Sequence, residues 1–254
     1  MACPRTGSTE AISSGLALPA FGAVSEMKEA EASPKTELFG PKLPINITHV
    51  MQMHNRPAIS KNGYPESPEE AEAIASSQYR ITQIILNNPN YIVVSEGAYE
   101  DLNSQSPTLM KDIIAQTIFP KGIPDQFLEL TNSQKDFLKE NGAANTLYYL
   151  GELSHVYRST DADSEKRDAK LIEENFANIL SAAVGESRET RALNWAKSAA
   201  EKSKNNNVLL IYGSSHDFED RIIKLNDKTF CYKGDYNTEV DDDFKAVPGT
   251  VLTP

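Results

Sequence analysis

"NVLLIYGSSHDFEDR", residues 207–221, runs an apolar stretch from Val208 to Tyr212 into Gly213, two serines and His216, and then turns acidic. A short continuous apolar run closed by a glycine reads as a strand covered on both faces, as strands of a parallel sheet are. His216 then stands just beyond its carboxyl end, where open α/β sheets bind ligands and do chemistry. The alternative is a strand-to-helix turn whose serines cap the next helix. How the other strands end decides between them.

Working outward, "INITHVMQM" (45–53) is β-branched and apolar and stops at His54. Ser67-Pro68-Glu69-Glu70 combines a capping box with proline at the first helical position, and opens a helix through residue 87. Ile74, Tyr79, Ile81, Ile84 and Ile85 recur on it at helical spacing. "NYIVVSEG" (90–97) follows as a buried strand that ends at Glu96. A strand, a helix and a strand in this order make a right-handed crossover between parallel neighbours.

Residues 105–205 read as mainly helical: "SPTLMKDIIAQTIF", "TNSQKDFLKENGAANTLYYLGELSHVYR", "SEKRDAKLIEENFANILSAAV" and "SRETRALNWAKSAAEKSK". After the 207–213 strand come a short helix, "HDFEDRIIKL", and a possible edge strand, "KTFCYK". The expected fold is α/β, a small mainly parallel sheet flanked by helices with a helical insertion. Residues 1–42, rich in Ser, Ala, Glu, Pro and Gly, are expected to be a disordered leader, removable without loss of folding. Residues 43–233 form a single α/β domain, and 234–254 read as an acidic tail.

The formal net charge of −11 argues against a broad phosphate-binding surface, so no nucleic-acid partner is expected. Cys3 and Cys231 show neither metal-ligand spacing nor a disulfide framework. The apolar stretch "GLALPAFGAV" contains Pro19, follows one basic residue and is too short to span a bilayer. The expectation is a chain with no transmembrane segment, cytoplasmic or exported without a recognisable signal peptide.

In a parallel sheet, the strand ends marked by His54, Glu96 and His216 share one edge. Two imidazoles and a carboxylate there could hold a divalent metal or pass a proton to water. Taken singly, each residue is better read as structural; the shared position shifts the balance. The odd separation of His49 and His54 puts them on opposite faces of a regular strand, and His54 is the one assigned to the site. His155 reads as an ordinary helix residue. Arg191 is either a substrate-binding or oxyanion-stabilising guanidinium, or a solvated arginine, with Arg188, on an amphipathic helix that buries Trp195.

A strand ending in histidine, a helix, "IVVSEG", and much later "RALNWA" leading to "VLLIYGSSH" resemble the superfamily of TraB/Tiki-type proteins, erythromycin-esterase-like enzymes and ChaN-like haem-binding proteins. The resemblance spans roughly residues 45–220. It implies a G-x-x-H or G-E-x-H strand end at His54, then Glu96, Arg191 and a terminal G-x-x-H from Gly213 to His216. Met51 stands where that first motif has glycine, and Gln52 is not acidic. The implied activity is hydrolysis of a peptide or ester bond in a small-molecule or peptide substrate, with His54, Glu96 and His216 on a metal or a water. The ChaN-like relatives imply instead a haem- or iron-binding protein, with a histidine or Tyr99 as axial ligand and Gly213 at the cofactor. The Met51 departure is consistent with a catalytically inactive interaction protein on the same fold.

Overall fold

The structure, a computed structural model, describes residues 43–53, 67–103, 105–106, 109–174 and 178–238. The strands are β1 (Ile45–Gln52), β2 (Ile92–Ser95), β3 (Tyr157–Arg158), β4 (Asn207–Gly213) and β5 (Phe230–Asn237). Between them lie α1 (Pro68–Leu86), α2 (Leu109–Ile118), α3 (Asn132–Asn141), α4 (Ala143–Tyr149), α5 (Ala162–Glu174), α6 (Asn178–Ser203) and α7 (Phe218–Leu225). The strands form one all-parallel sheet in the order β3-β2-β4-β1-β5. The α/β class and the helical insertion between β2 and β3 are therefore as the sequence implies.

Side-chain alternation divides the core. Ile47, Val94, Val208, Leu210 and Tyr212 face α6 and α7, against Ala192, Leu193, Ala196, Phe218 and Ile222. The alanines on α6 let its backbone come close to the sheet. Val50, Val93, Leu209 and Ile211 face the other way, onto Ile81 and Ile85 of α1 and Ala143, Ala144 and Leu147 of α4. With both faces covered, β4 is buried at every position after Asn207, which explains its unbroken apolar run.

Helix starts follow local chemistry. Ser67 caps α1 by accepting from the Glu70 amide at 3.1 Å, with Pro68 in the first turn. Thr131 and Gln134 make a reciprocal capping box on α3. The long helix expected over 131–158 is broken at Gly142, which adopts φ +76 and ends α3 before α4 begins. His155 consequently lies after α4 rather than inside a helix, exposed and stacked on Tyr157 at 5.9 Å between ring centroids.

Three further expectations change. β5 continues to Asn237, so residues 234–237 belong to the sheet and not to a tail; 239–254 and the leader 1–42 lie outside the described residues. Cys231 is disulfide-bonded, where no disulfide framework was expected, and Cys3 lies outside the described residues. Trp195 is only half-buried, with the Arg158 guanidinium 3.9 Å from its ring centroid. Among the described residues, no helix is long and apolar enough to cross a membrane.

Candidate functional site

The strand order locates the crevice. From β2 the chain leaves outward to β3, and from β4 it leaves in the opposite direction, past β1, to β5. The connections diverge above the β2–β4 boundary, where doubly wound sheets open a binding cleft at the carboxyl ends. Glu96 and the turn 213–216 lie on its two sides.

Glu96 follows β2 directly and precedes Gly97, whose φ of +83 turns the chain away. Its carboxylate, with 9% of the side chain exposed, reaches across the crevice. Oε2 accepts from the Gly213 amide at 2.7 Å and from Gln52 Nε2 at 3.3 Å; Oε1 accepts from Arg188 Nη2 at 3.0 Å. Gln52 is held in turn by Gln78, which donates to Gln52 Oε1 at 3.3 Å and to the Met53 carbonyl at 2.6 Å, and accepts from the Ala143 amide at 2.8 Å. A buried polar chain thus ties α4, α1, β1 and β2 to the last residue of β4. Gln52, which replaces the acid implied by the resemblance, is a donor that an acid would not supply to Glu96. Met51 sits in β1 opposite Tyr212, and its carbonyl accepts from the Thr238 hydroxyl.

His216 projects from the far side of the turn. Its amide donates to the Gly213 carbonyl at 3.2 Å, and Nδ1 lies 3.3 Å from Glu189 Oε1. Its ring meets Tyr212 edge-on at 4.7 Å and lies 6.1 Å from Phe218, leaving 8% of the side chain exposed. Glu189 on α6 also accepts from the Asp217 amide at 3.1 Å and from Arg221 Nε at 3.5 Å. Burial would raise the Glu189 carboxyl, but the bonds from His216, the Asp217 amide and Arg221 outweigh it and hold the group below its ordinary value. An ionised Glu189 can only accept, so it assigns the proton to His216 Nδ1 and leaves Nε2 as the basic nitrogen.

The arginine that reaches Glu96 is Arg188. Arg191, one turn further along α6, is instead paired with Asp168. Arg188 also bonds Glu165 at 3.2 Å, so Glu165 and Asp168 on α5 meet Arg188 and Arg191 on α6 at matching i, i+3 spacing. Arg191 is thereby placed as a helix-to-helix tie rather than over the crevice. The partner residues Glu189, Glu165 and Asp168 escaped sequence reading because helices expose no hint of which distant carboxylate they will meet. The i, i+3 repeats of acids on 165/168 and of arginines on 188/191 were the only available signal.

His54 lies outside the described residues. His49, on the α6–α7 face of β1, is fully buried; Nδ1 is 2.8 Å from Asp235 Oδ1 and Nε2 is 3.3 Å from the Tyr212 carbonyl. Its ring packs edge-on against Phe218 at 5.0 Å. Gly213 closes β4 and serves Glu96 through its amide. Tyr99 is 47% exposed. Partial burial pushes its phenol up, Glu165 adds to this, Arg188 opposes it and Glu96 adds again.

Of the three residues assigned to a divalent ion, Glu96 and His216 are among the described residues and His54 is not. Both Glu96 oxygens are engaged, Oε1 by the Arg188 guanidinium and Oε2 by the Gly213 amide. Among the described residues, no group of three His, Cys, Asp or Glu side chains converges as a metal site. Comparison with family models, with curated proteins and with solved structures finds no match for this chain.

Proposed function

We propose that the protein is a hydrolase of ester or peptide bonds on small-molecule or peptide substrates, working at the β2–β4 crevice. The observation that carries this reading is the Glu189–His216 pair. One carboxylate takes both the ring Nδ1 and the adjacent Asp217 amide, which fixes the imidazole with Nε2 as its free basic nitrogen. Among the described residues, Nε2 has no hydrogen-bond partner of its own.

In this reading His216 Nε2 takes a proton from a water as its oxygen adds to the carbonyl carbon. It returns that proton to the alkoxide or amine as the C–O or C–N bond breaks. Glu96 is a positioning residue: through the Gly213 amide it fixes the turn that carries His216, and through Arg188 it ties that turn to α6. The resemblance to the TraB/Tiki, erythromycin-esterase-like and ChaN-like superfamily supports the reaction class. A second reading, an inactive interaction protein, is favoured by the engagement of both Glu96 oxygens in structural bonds.

Assays on a panel of nitrophenyl esters and aminoacyl anilides separate the two. Hydrolysis by the wild-type chain, falling about 100-fold or more in a His216→Ala chain that still folds, is expected, since general bases contribute about 10²–10⁴-fold. Absence of turnover on every substrate, with both chains folded, favours the interaction protein.

A further inference from the structure

Beneath Glu96, four buried polar atoms have no hydrogen-bond partner: Arg188 Nε, Glu165 Oε2, the Tyr212 hydroxyl and the Ser159 hydroxyl. Their residues are neighbours. Arg188 Nη2 bonds Glu165 Oε1 at 3.2 Å, and the Tyr212 phenol lies beside the Ser159 hydroxyl within the field of Glu96, Arg188 and Glu165. Tyr212 and Ser159 are both 0% exposed. Native interiors rarely leave such groups unmet, and a cluster of them at one place calls for an occupant.

Chemistry narrows what that occupant is. An anion would meet the acceptor-only oxygen of Glu165, and a cation would meet the Nε–H of Arg188. Only a species that both donates and accepts satisfies all four, since the two hydroxyls can turn either way. A water is the smallest such species and asks for two to four polar partners. We propose that this cluster is a binding site for one resident water. The water accepts from Arg188 Nε, donates to Glu165 Oε2, and completes its shell with the hydroxyls of Tyr212 and Ser159. This inference is independent of whether His216 is catalytic. It explains why position 212, at the end of an otherwise aliphatic strand, is tyrosine and not phenylalanine: the ring packs against His216 and Phe218 while the hydroxyl serves the water.

A crystal structure of the full chain, at a resolution that shows ordered water, tests this directly. The expected result is a density peak within hydrogen-bond distance of at least three of the four atoms. A direct Tyr212–Ser159 hydrogen bond with no peak beside Arg188 Nε overturns it. Thermal melts of Tyr212→Phe show whether the hydroxyl has a partner at all, and the crystal structure shows whether that partner is the water or Ser159. If the hydroxyl bonds a water, its loss lowers the melting temperature, by about 2–4 °C for a chain of this size. If the hydroxyl is dry, removing an unmet polar group leaves the midpoint unchanged or raises it, and the proposal fails.

Discussion

His49 presents two ring nitrogens to two acceptors, the Asp235 carboxylate and the Tyr212 carbonyl, and a neutral imidazole has a proton for only one of them. Burial is the larger influence. It lowers the His49 pKa from 6.5, Asp235 and the Tyr212 carbonyl oppose it, and His216 adds slightly to it. The folded state therefore binds this proton more weakly than the unfolded chain. Stability attributable to the group is present above the unfolded value, erodes as pH falls through 6.5, and is fully lost below the folded value. Urea unfolding at about pH 7.5 and about pH 5.5 checks this: wild type loses stability toward acid, and His49→Gln loses measurably less. The position of His216 was legible from the sequence, because an apolar run closed by glycine fixes where a strand ends. Its partner Glu189 was not, since the contact joins residues from different elements. The importance of His49 was hidden for another reason: strand alternation says which face a side chain takes but not what stands opposite it.

What stands opposite His49 is decided by an irregularity in β5. Pairing runs Ile47 with Tyr232 and then Thr48 with Gly234, so Lys233 is an extra residue and Asp235 comes opposite His49. In a regular ladder without the bulge, Thr48 would face Lys233 and His49 would face Gly234. Gly234 holds φ +132 with open space where a Cβ would be, so the cost of a side chain there is conformational rather than steric. Gly234→Ala should destabilise the protein by about 1–3 kcal/mol and weaken the pH dependence assigned to His49. The bulge was illegible in "KTFCYKGDYN", where the glycine suggested the end of the strand. The α5–α6 tie yields its own prediction. Asp168→Ala strands the partly buried Arg191 guanidinium and should cost about 2–4 kcal/mol in denaturant unfolding. The pair Asp168→Leu with Arg191→Met should recover most of the loss.

At the scale of the molecule, the strand order forbids independent halves. β1, the first strand in the chain, is wedged between β4 and β5, the last two, and β2 pairs with β4 across the middle of the sheet. Nearly all of the sheet's pairing is thus long-range, and the entropy of closing those loops must be met before any of it forms. A fragment ending at residue 205 leaves β1 without either neighbour and should give no cooperative thermal transition by circular dichroism, where the full chain gives one. The parallel class followed from sequence because buried strands alternate with helices. The order did not, because hydrophobic pattern marks faces and not neighbours; nor did the two-residue β3, too short to carry a pattern.

The central claim is that Glu189 holds His216 with its proton on Nδ1, leaving Nε2 as the base at the β2–β4 crevice. Long-range ¹H–¹⁵N correlation spectra of the histidine side chains, recorded on the full chain at a pH where the ring is neutral, test this most directly. The prediction is a His216 signal of the Nδ1–H tautomer, with Nε2 as the unprotonated nitrogen, that shifts toward the other tautomer in Glu189→Gln. An Nε2–H tautomer in the wild-type chain, or a spectrum unmoved by Glu189→Gln, would contradict the account.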